Sequence, residues 1–497
     1  MNKHTHVAKT LAPLALAAVL VLALTSPLVG CAGTPSAVRQ SKLSPNDPVT
    51  VTVWNYYTGT QLDSFNELVD EFNRTRGKEL GIEVQSTSQG SLDDLENAVV
   101  AAADKRVGAG EVPTMFPAYA DIALSMNERG ILQDVSGYLT DAERADYVDG
   151  YLAEGDLDGT GGLKIFPIAK ATEVMVLNRT DWDKFAEATG ATTDDLATIE
   201  GVTQTAKKYY EWTDALTPAP DDGKSLFGRD AMANYLIIGS QQLGHELIGR
   251  NADGTAALDF DKAVARRLWD NYYIPYLNGY YSAIGRFRSD DMKTGTVIAY
   301  VGSSASASFT PTAVSPAGGT RYGIETQTLP APEFEGGESV AVQQGAGMVV
   351  TKSDDRRVEA AVEFLKWFTQ PEHNSKFALD TSYLPVKKSA NDLDEIVSHA
   401  GDGNTTEAAR QALSAAISTV NGSSMYTPRP VVNGTSIRSV LESALSDKAA
   451  ADRKAVAELM AGGTRRSDAV AKYATDANFE AWYADTLAKL EAAAHEG

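Results

Sequence analysis

The sequence of 497 residues holds one cysteine and six histidines. A lone cysteine excludes any intrachain disulfide. So few soft ligands leave no basis for a zinc or iron–sulfur site, and no metal is expected. Positive charge is also scarce. The chain has 44 Lys and Arg against 66 Asp and Glu, a net charge of −22. Such a surface lacks the basic face that phosphate neutralisation needs, which argues against a nucleic-acid partner. It argues equally against electrostatic docking on anionic lipid. Past residue 30 no apolar run approaches the ~20 residues that a spanning helix requires. Catalytic signatures are missing too. His245-Glu246-Leu247-Ile248-Gly249 lacks the second histidine of a zinc protease, and Gly302-Ser303-Ser304-Ala305-Ser306 ends in serine, unlike a nucleophile elbow. There is no Walker loop and no dinucleotide fingerprint. The expectation is a binding protein with no cofactor rather than an enzyme, although two suitably spaced carboxylates would suffice for a glycosidase.

What is present begins with an address. Lys3 and Lys9 precede the apolar run Leu11 to Leu24, as in a secretory signal. The run ends in Leu28-Val29-Gly30-Cys31, which resembles a bacterial lipobox, with Cys31 as the lipidated residue. Residues 1–30 read as a lipoprotein signal peptide and 31–48 as a Ser-, Pro- and Ala-rich tether. The remaining chain is then an extracytoplasmic body held to the outer face of the cytoplasmic membrane by acyl chains. Removal of residues 1–30 leaves it at −24.

The body alternates strand and helix patterns. Val49 to Trp54 is a β-branched run, Leu62 to Phe72 has apolar residues at helical spacing, and Ile82 to Val84 is a second strand. Leu92 to Val107 is helical, and Thr114 to Phe116 is a short strand. This order indicates an α/β layer with a mostly parallel sheet. Gly155 to Gly162 reads as a hairpin turn, because the twelfth position of a calcium loop from Asp156 would be Pro167 rather than glutamate. Val297 to Val301 and Gly345 to Val350 are further strands, Val358 to Phe368 is a helix, and residues 436–496 form a helical tail.

These landmarks resemble the extracellular solute-binding proteins of ABC importers, in the large family related to maltose-binding protein. The resemblance rests on Val53-Trp54-Asn55, on Phe166-Pro167 before Leu177-Asn178, and on Val297 to Ser304 and Gly345 to Thr351. Ala361 to Phe368, Gln370-Pro371-Glu372 and Ser382-Tyr383-Leu384-Pro385-Val386 complete it. It implies an α/β, two-lobe periplasmic-binding-protein-like fold with a hinge and a ligand cleft between the lobes. It also implies a small-molecule solute, an ABC permease as membrane partner, and action as a monomer. The lobes are expected to be discontinuous, one from 49–170 plus 302–370 and the other from 171–301 plus 371–497. The C-terminal half is similar to glycerol-3-phosphate-binding proteins through Ser303-Ser304, Gly345-Ala346-Gly347, Tyr383-Leu384-Pro385 and Arg429. It departs from them at Ala120, where that family has an acid, at Lys170-Ala171 in place of a serine pair, and at Arg229 in place of a tryptophan.

Candidate ligand residues are suggested by the chemistry of sugars, which need aromatic faces and planar polar groups. Open α/β sheets bind ligands beyond strand ends. That singles out Asn55, Tyr56 and Tyr57, then Gln89 and Ser91, then Tyr119 and Asp121. Ser91 equally serves as a helix cap. In the crossover segment, Lys170 and Glu173 could form a hinge ion pair or grip hydroxyls. Trp212 is a core aromatic or a stacking face, and Arg229 could serve an anion or pair with Asp230. Ser303 and Ser304 offer hydroxyls at a strand end, and Gly345 and Gly347 permit close backbone approach. Tyr383 precedes Pro385 in a non-helical segment. Arg429, between Pro428 and Pro430, could clamp a phosphate or carboxylate. The leading expectation is a lipid-anchored receptor that delivers a mono- or oligosaccharide to the permease. The alternative is a receptor for glycerol-3-phosphate or its diesters, and a non-transport adhesin or sensor is a third possibility.

Overall fold

The strand Val49–Asn55 buries Val49, Val51, Val53 and Asn55 on one face, the two-residue period its sequence carries. It pairs in parallel with Ile82–Ser88 on one side and with Met115–Ala118 on the other. Gly347–Val350 adds antiparallel to Met115–Ala118 and completes a four-stranded sheet. The helix Gly59–Arg74 lays Phe65, Leu68, Val69 and Phe72 on this sheet. There Phe65 and Phe72 meet Phe364 of the helix Asp355–Phe368 edge-on. Burying one such side chain stabilises by about 1.5–3 kcal/mol, so this aromatic cluster anchors the first lobe.

A second four-stranded sheet has the order Thr326–Pro330, Glu173–Asn178, Ala299–Ser303, Phe227–Arg229. Its core is separate. Trp269 stacks on Tyr273 and touches Trp482, so the helices Lys262–Leu277 and Asp476–Ala494 pack together. The tyrosine-rich stretch 272–281 serves this packing, with Tyr272, Tyr273, Tyr276 and Tyr281 all buried.

The computed structural model describes residues 41–399 and 406–495. Residues 1–40, which hold the expected signal peptide, Cys31 and most of the expected tether, lie outside the described residues. Among the described residues no helix is long and apolar enough to cross a membrane.

Three segments join the lobes. Lys170 and Ala171 make bridges to Leu384 and Gln344 before the chain enters the second sheet. Val340–Val342 returns, and it pairs in parallel with Ser424–Tyr426. Two placements differ from the boundaries expected from sequence. Thr326–Pro330, within 302–370, pairs with Glu173–Asn178 in the second sheet. The helix Pro371–Thr381 packs its Phe377 in the first lobe, against Phe368 and Tyr57. Both depend on which edge or core a segment meets, and nothing local encodes that. The segment before Gly155 is the short helix Asp149–Ala153, not a strand, so the turn after it is not a hairpin.

Candidate functional site

A cavity of about 480 Å³ opens between strand ends of the two lobes. That is within the roughly 300–1,000 Å³ of small-molecule sites. The first lobe contributes Tyr119 and Asp121, which come just after Met115–Ala118, together with Glu154, Gly345 and Tyr383. The second contributes Ser303 from the end of its strand, Asn234 from the helix Met232–Gln242, and Arg438 from the helix Gly434–Ala461. Gln343 and Gln344 of the return segment line it, as does the loop Thr427 to Val431, which carries Arg429. Ile237, Ile238, Ile248, Val342 and Val431 supply the apolar surface.

Tyr119, at the start of the helix Ala120–Glu128, is 39% exposed. Its hydroxyl is pushed up to about 12, first by burial and then by the nearby Tyr383 and Glu154. Tyr383 is half-buried and hydrogen-bonded to Tyr56. Asp121 reaches across the cleft, where its Oδ2 accepts from Thr435 Oγ1 at 3.0 Å. Burial raises its carboxyl above the usual range, opposed by that bond and by Arg438. Arg438 donates to Asn234 Oδ1 at 2.6 Å. Asn234 in turn donates to Glu173 Oε1 at 2.8 Å, and Arg229 donates to Glu173 Oε2 at 2.8 Å. Arg229 also lies over the ring of Tyr235, at 4.8 Å. Glu173 and Arg229 line a neighbouring cavity of about 370 Å³ that shares Asn234, Ile238 and Val342 with the first. Burial raises the Glu173 carboxyl, and Arg229 opposes that rise.

Lys170 does not pair with Glu173. It is wholly buried, and its Nζ bonds Glu154 Oε2 and donates to Gly345 O at 2.7 Å. Gly345 needs its glycine, with φ at +93° and the carbonyl of Ala169 3.2 Å from where a Cβ would stand.

The structure thus brings Tyr119, Asp121, Ser303, Gly345, Tyr383 and Arg429 to one cavity, with Lys170 behind Glu154. Arg429 is exposed and has no hydrogen bond or ion pair among the described residues. Other sequence candidates have local duties. Asn55 donates to Ser86 Oγ at 2.9 Å and accepts from the Tyr57 amide at 3.1 Å. Tyr57 is buried against Phe65. The backbone N–H of Gln89 donates to Asn55 O at 2.7 Å, and Ser91 caps the helix Leu92–Ala103 with Asp94. Trp212 packs on Phe185 and Tyr209 in the second lobe. Ser304 is buried, with its Oγ accepting from the Thr172 amide at 3.3 Å. Gly347 faces Ile165, whose Cγ2 would be 2.3 Å from an added Cβ. Glu154, Asn234, Gln343, Gln344 and Arg438 were not legible beforehand. Arg438 sits one turn into a long alanine-rich helix, and only the tertiary fold turns that end toward the cleft.

No curated protein matches the sequence. Solved structures match its fold. The cyclic alpha-maltosyl-1,6-maltose binding protein of Arthrobacter globiformis has 18% identity and a TM-score of 0.66, over 90% of this chain and 100% of that one. The sugar-binding protein MalE of Xanthomonas citri has 17% identity and a TM-score of 0.61, over 90% and 100%. UgpB of Mycobacterium tuberculosis, solved with glycerophosphocholine, has 17% identity and a TM-score of 0.58, over 89% and 99%. At these identities the likeness is one of fold, the two-lobed fold of ABC importer binding proteins, and it agrees with two sheets joined by three segments around a cleft. The sequence pattern of bacterial extracellular solute-binding proteins spans residues 67–401. That range holds most of both sheets and the crossover between them, and the chain belongs to this extracytoplasmic family of solute-binding proteins, which are binders rather than enzymes.

Proposed function

We propose that the solute is a neutral carbohydrate, a mono- or oligosaccharide, captured in the cleft for delivery to the permease. The balance of the cavity wall carries this reading. Asp121 and Glu154 match Arg429 and Arg438 in number, and the open ring of Tyr119 lies beside the side-chain amides of Asn234, Gln343 and Gln344. Such a wall offers a stacking face and paired hydrogen bonds to hydroxyls, while two of the cations there, Arg438 and Lys170, are already engaged by Asn234 and Glu154. A second reading, a glycerophosphodiester, is favoured by the unpaired guanidinium of Arg429.

Thermal melts of the chain from Ser41 separate the two. Ligand at 100 times its Kd stabilises by about 2.7 kcal/mol. The expected result is a shift with neutral sugars, only weakened in Arg429→Ala. A shift with glycerol-3-phosphate or its diesters alone, abolished by Arg429→Ala, would overturn the sugar reading. The lipobox supports anchoring through Cys31 as part of the same proposal. Cys31→Ser is expected to move the chain from the membrane fraction to the soluble one, and retention in the membrane would count against the anchor.

A further inference from the structure

Around Glu154 the cavity wall presents acceptors that no donor of the protein fills. The Glu154 side chain is 6% exposed, and both of its bonds fall on Oε2, from Lys170 Nζ and from Gln343 Nε2, the latter at 2.9 Å. Its Oε1 has no partner among the described residues. Gln343 is 5% exposed, and its Oε1 has no hydrogen-bond partner either. The Gln343 amide cannot turn over to relieve this, because its oxygen would then face the Glu154 carboxylate. Gln344 Oε1 is likewise without a partner, so three acceptors stand idle on residues that line the cavity, while Lys170, the cation of the group, is consumed by Glu154 and Gly345 O. The glutamine oxygens are buried, where an acceptor without a donor is costly, and Glu154 Oε1 is open to the cavity, so this wall favours a ligand that brings O–H or N–H groups and disfavours one that brings oxyanions.

We propose that Glu154, presented by Lys170 and Gln343, is the specificity-determining acceptor of the cleft, taking a hydroxyl of a neutral polyhydroxyl ligand and rejecting phosphate at that end. This rests on the carbohydrate reading and sharpens it. The holders also tie the contact to the hinge. Lys170 lies on the first crossing segment and Gln343 on the second, and the backbone N–H of Gln343 donates to Tyr426 O of the third at 2.8 Å. A hydroxyl bound at Glu154 thus loads the three segments that join the lobes.

The test is calorimetric titration of the chain from Ser41 with glucose, maltose and maltotriose, and with glycerol-3-phosphate and glycerophosphocholine. In Glu154→Gln the new amide oxygen must stay with Lys170 and Gln343, so its NH2 replaces the acceptor at the cavity wall. A charge-assisted bond is lost, and about tenfold weaker sugar binding is expected, with anion affinity unchanged or raised. Because that variant leaves Lys170 buried without a counter-charge, the double variant Glu154→Gln with Lys170→Met is measured beside it. The double variant leaves no unpaired buried charge at this position, yet sugar affinity should remain lowered. Sugar binding at wild-type strength in the double variant overturns the role of Glu154 and leaves the carbohydrate reading intact. Parallel loss of sugar and anion binding would mark Glu154 as merely structural and overturn it too. Wild-type binding of anions alone would overturn the carbohydrate reading itself.

Discussion

Asp121 is held across the cleft in surroundings that favour its neutral form. Burial raises its carboxyl, and the Thr435 hydroxyl and Arg438 only partly offset that. A folded-state value above the unfolded one means that the folded protein binds this proton more tightly. The stabilising contribution is then present below the ordinary carboxylate range and is lost as pH rises through the raised value. At neutral pH the charged group carries its desolvation cost. Asp121→Asn keeps an acceptor for Thr435 and removes that charge. Its Tm at pH 7 is expected to equal or exceed that of the parent, and the parent should gain on the variant as pH falls into the carboxylate range. A variant clearly less stable at pH 7, with the same pH slope, would show that the ionised form is the favoured one. Glu173 differs in kind. It too is raised by burial, but Arg229 and Asn234 occupy both its oxygens. Removing one partner of such a buried pair typically costs about 3–5 kcal/mol.

At the scale of elements, legibility depends on where the information lies. The runs Val49–Asn55 and Asp355–Phe368 carry their own periods of two and 3.6, so their sequences announce them. The strand-end rule reaches the cavity-lining Tyr119, Asp121 and Ser303 because it needs only a strand and the few residues at its C-terminal end. At Asn55 the same rule meets a strand end that turns its polar side chain inward to hold the backbone N–H of Tyr57. Thr326–Pro330 reads as a strand anywhere, and only its edge partner Glu173–Asn178 fixes the lobe it joins. Glu154 ends a five-residue helix with no strand before it, so no local pattern marks it. The Lys170–Glu154 pair was hidden for a related reason. The nearer Glu173 offered itself in sequence, but alternate residues of an extended segment point to opposite faces, and odd spacing places Lys170 and Glu173 apart.

For the whole molecule, the two cores are the decisive feature. One holds Phe65, Phe72, Phe364 and Phe377, the other Trp182, Trp269, Tyr273 and Trp482. Each lobe therefore keeps its packing if the other rotates, and close-packed cores move as units. At the cleft mouth, Asp121 and Thr435 make a polar contact between the lobes. Three crossing segments then act as the hinge, the arrangement that lets a ligand bias two lobe positions. Lys78, exposed on the first lobe, and Lys208, exposed on the second, report that motion when replaced by cysteine and labelled with a donor–acceptor pair. The chain from Ser41 contains no other cysteine. Saturating sugar is expected to change transfer efficiency, with a midpoint equal to the calorimetric Kd. An efficiency that stays constant through saturation would show that the ligand binds without moving the lobes. Recognition by the permease would then have to read the ligand or the rim residues directly rather than a closed form.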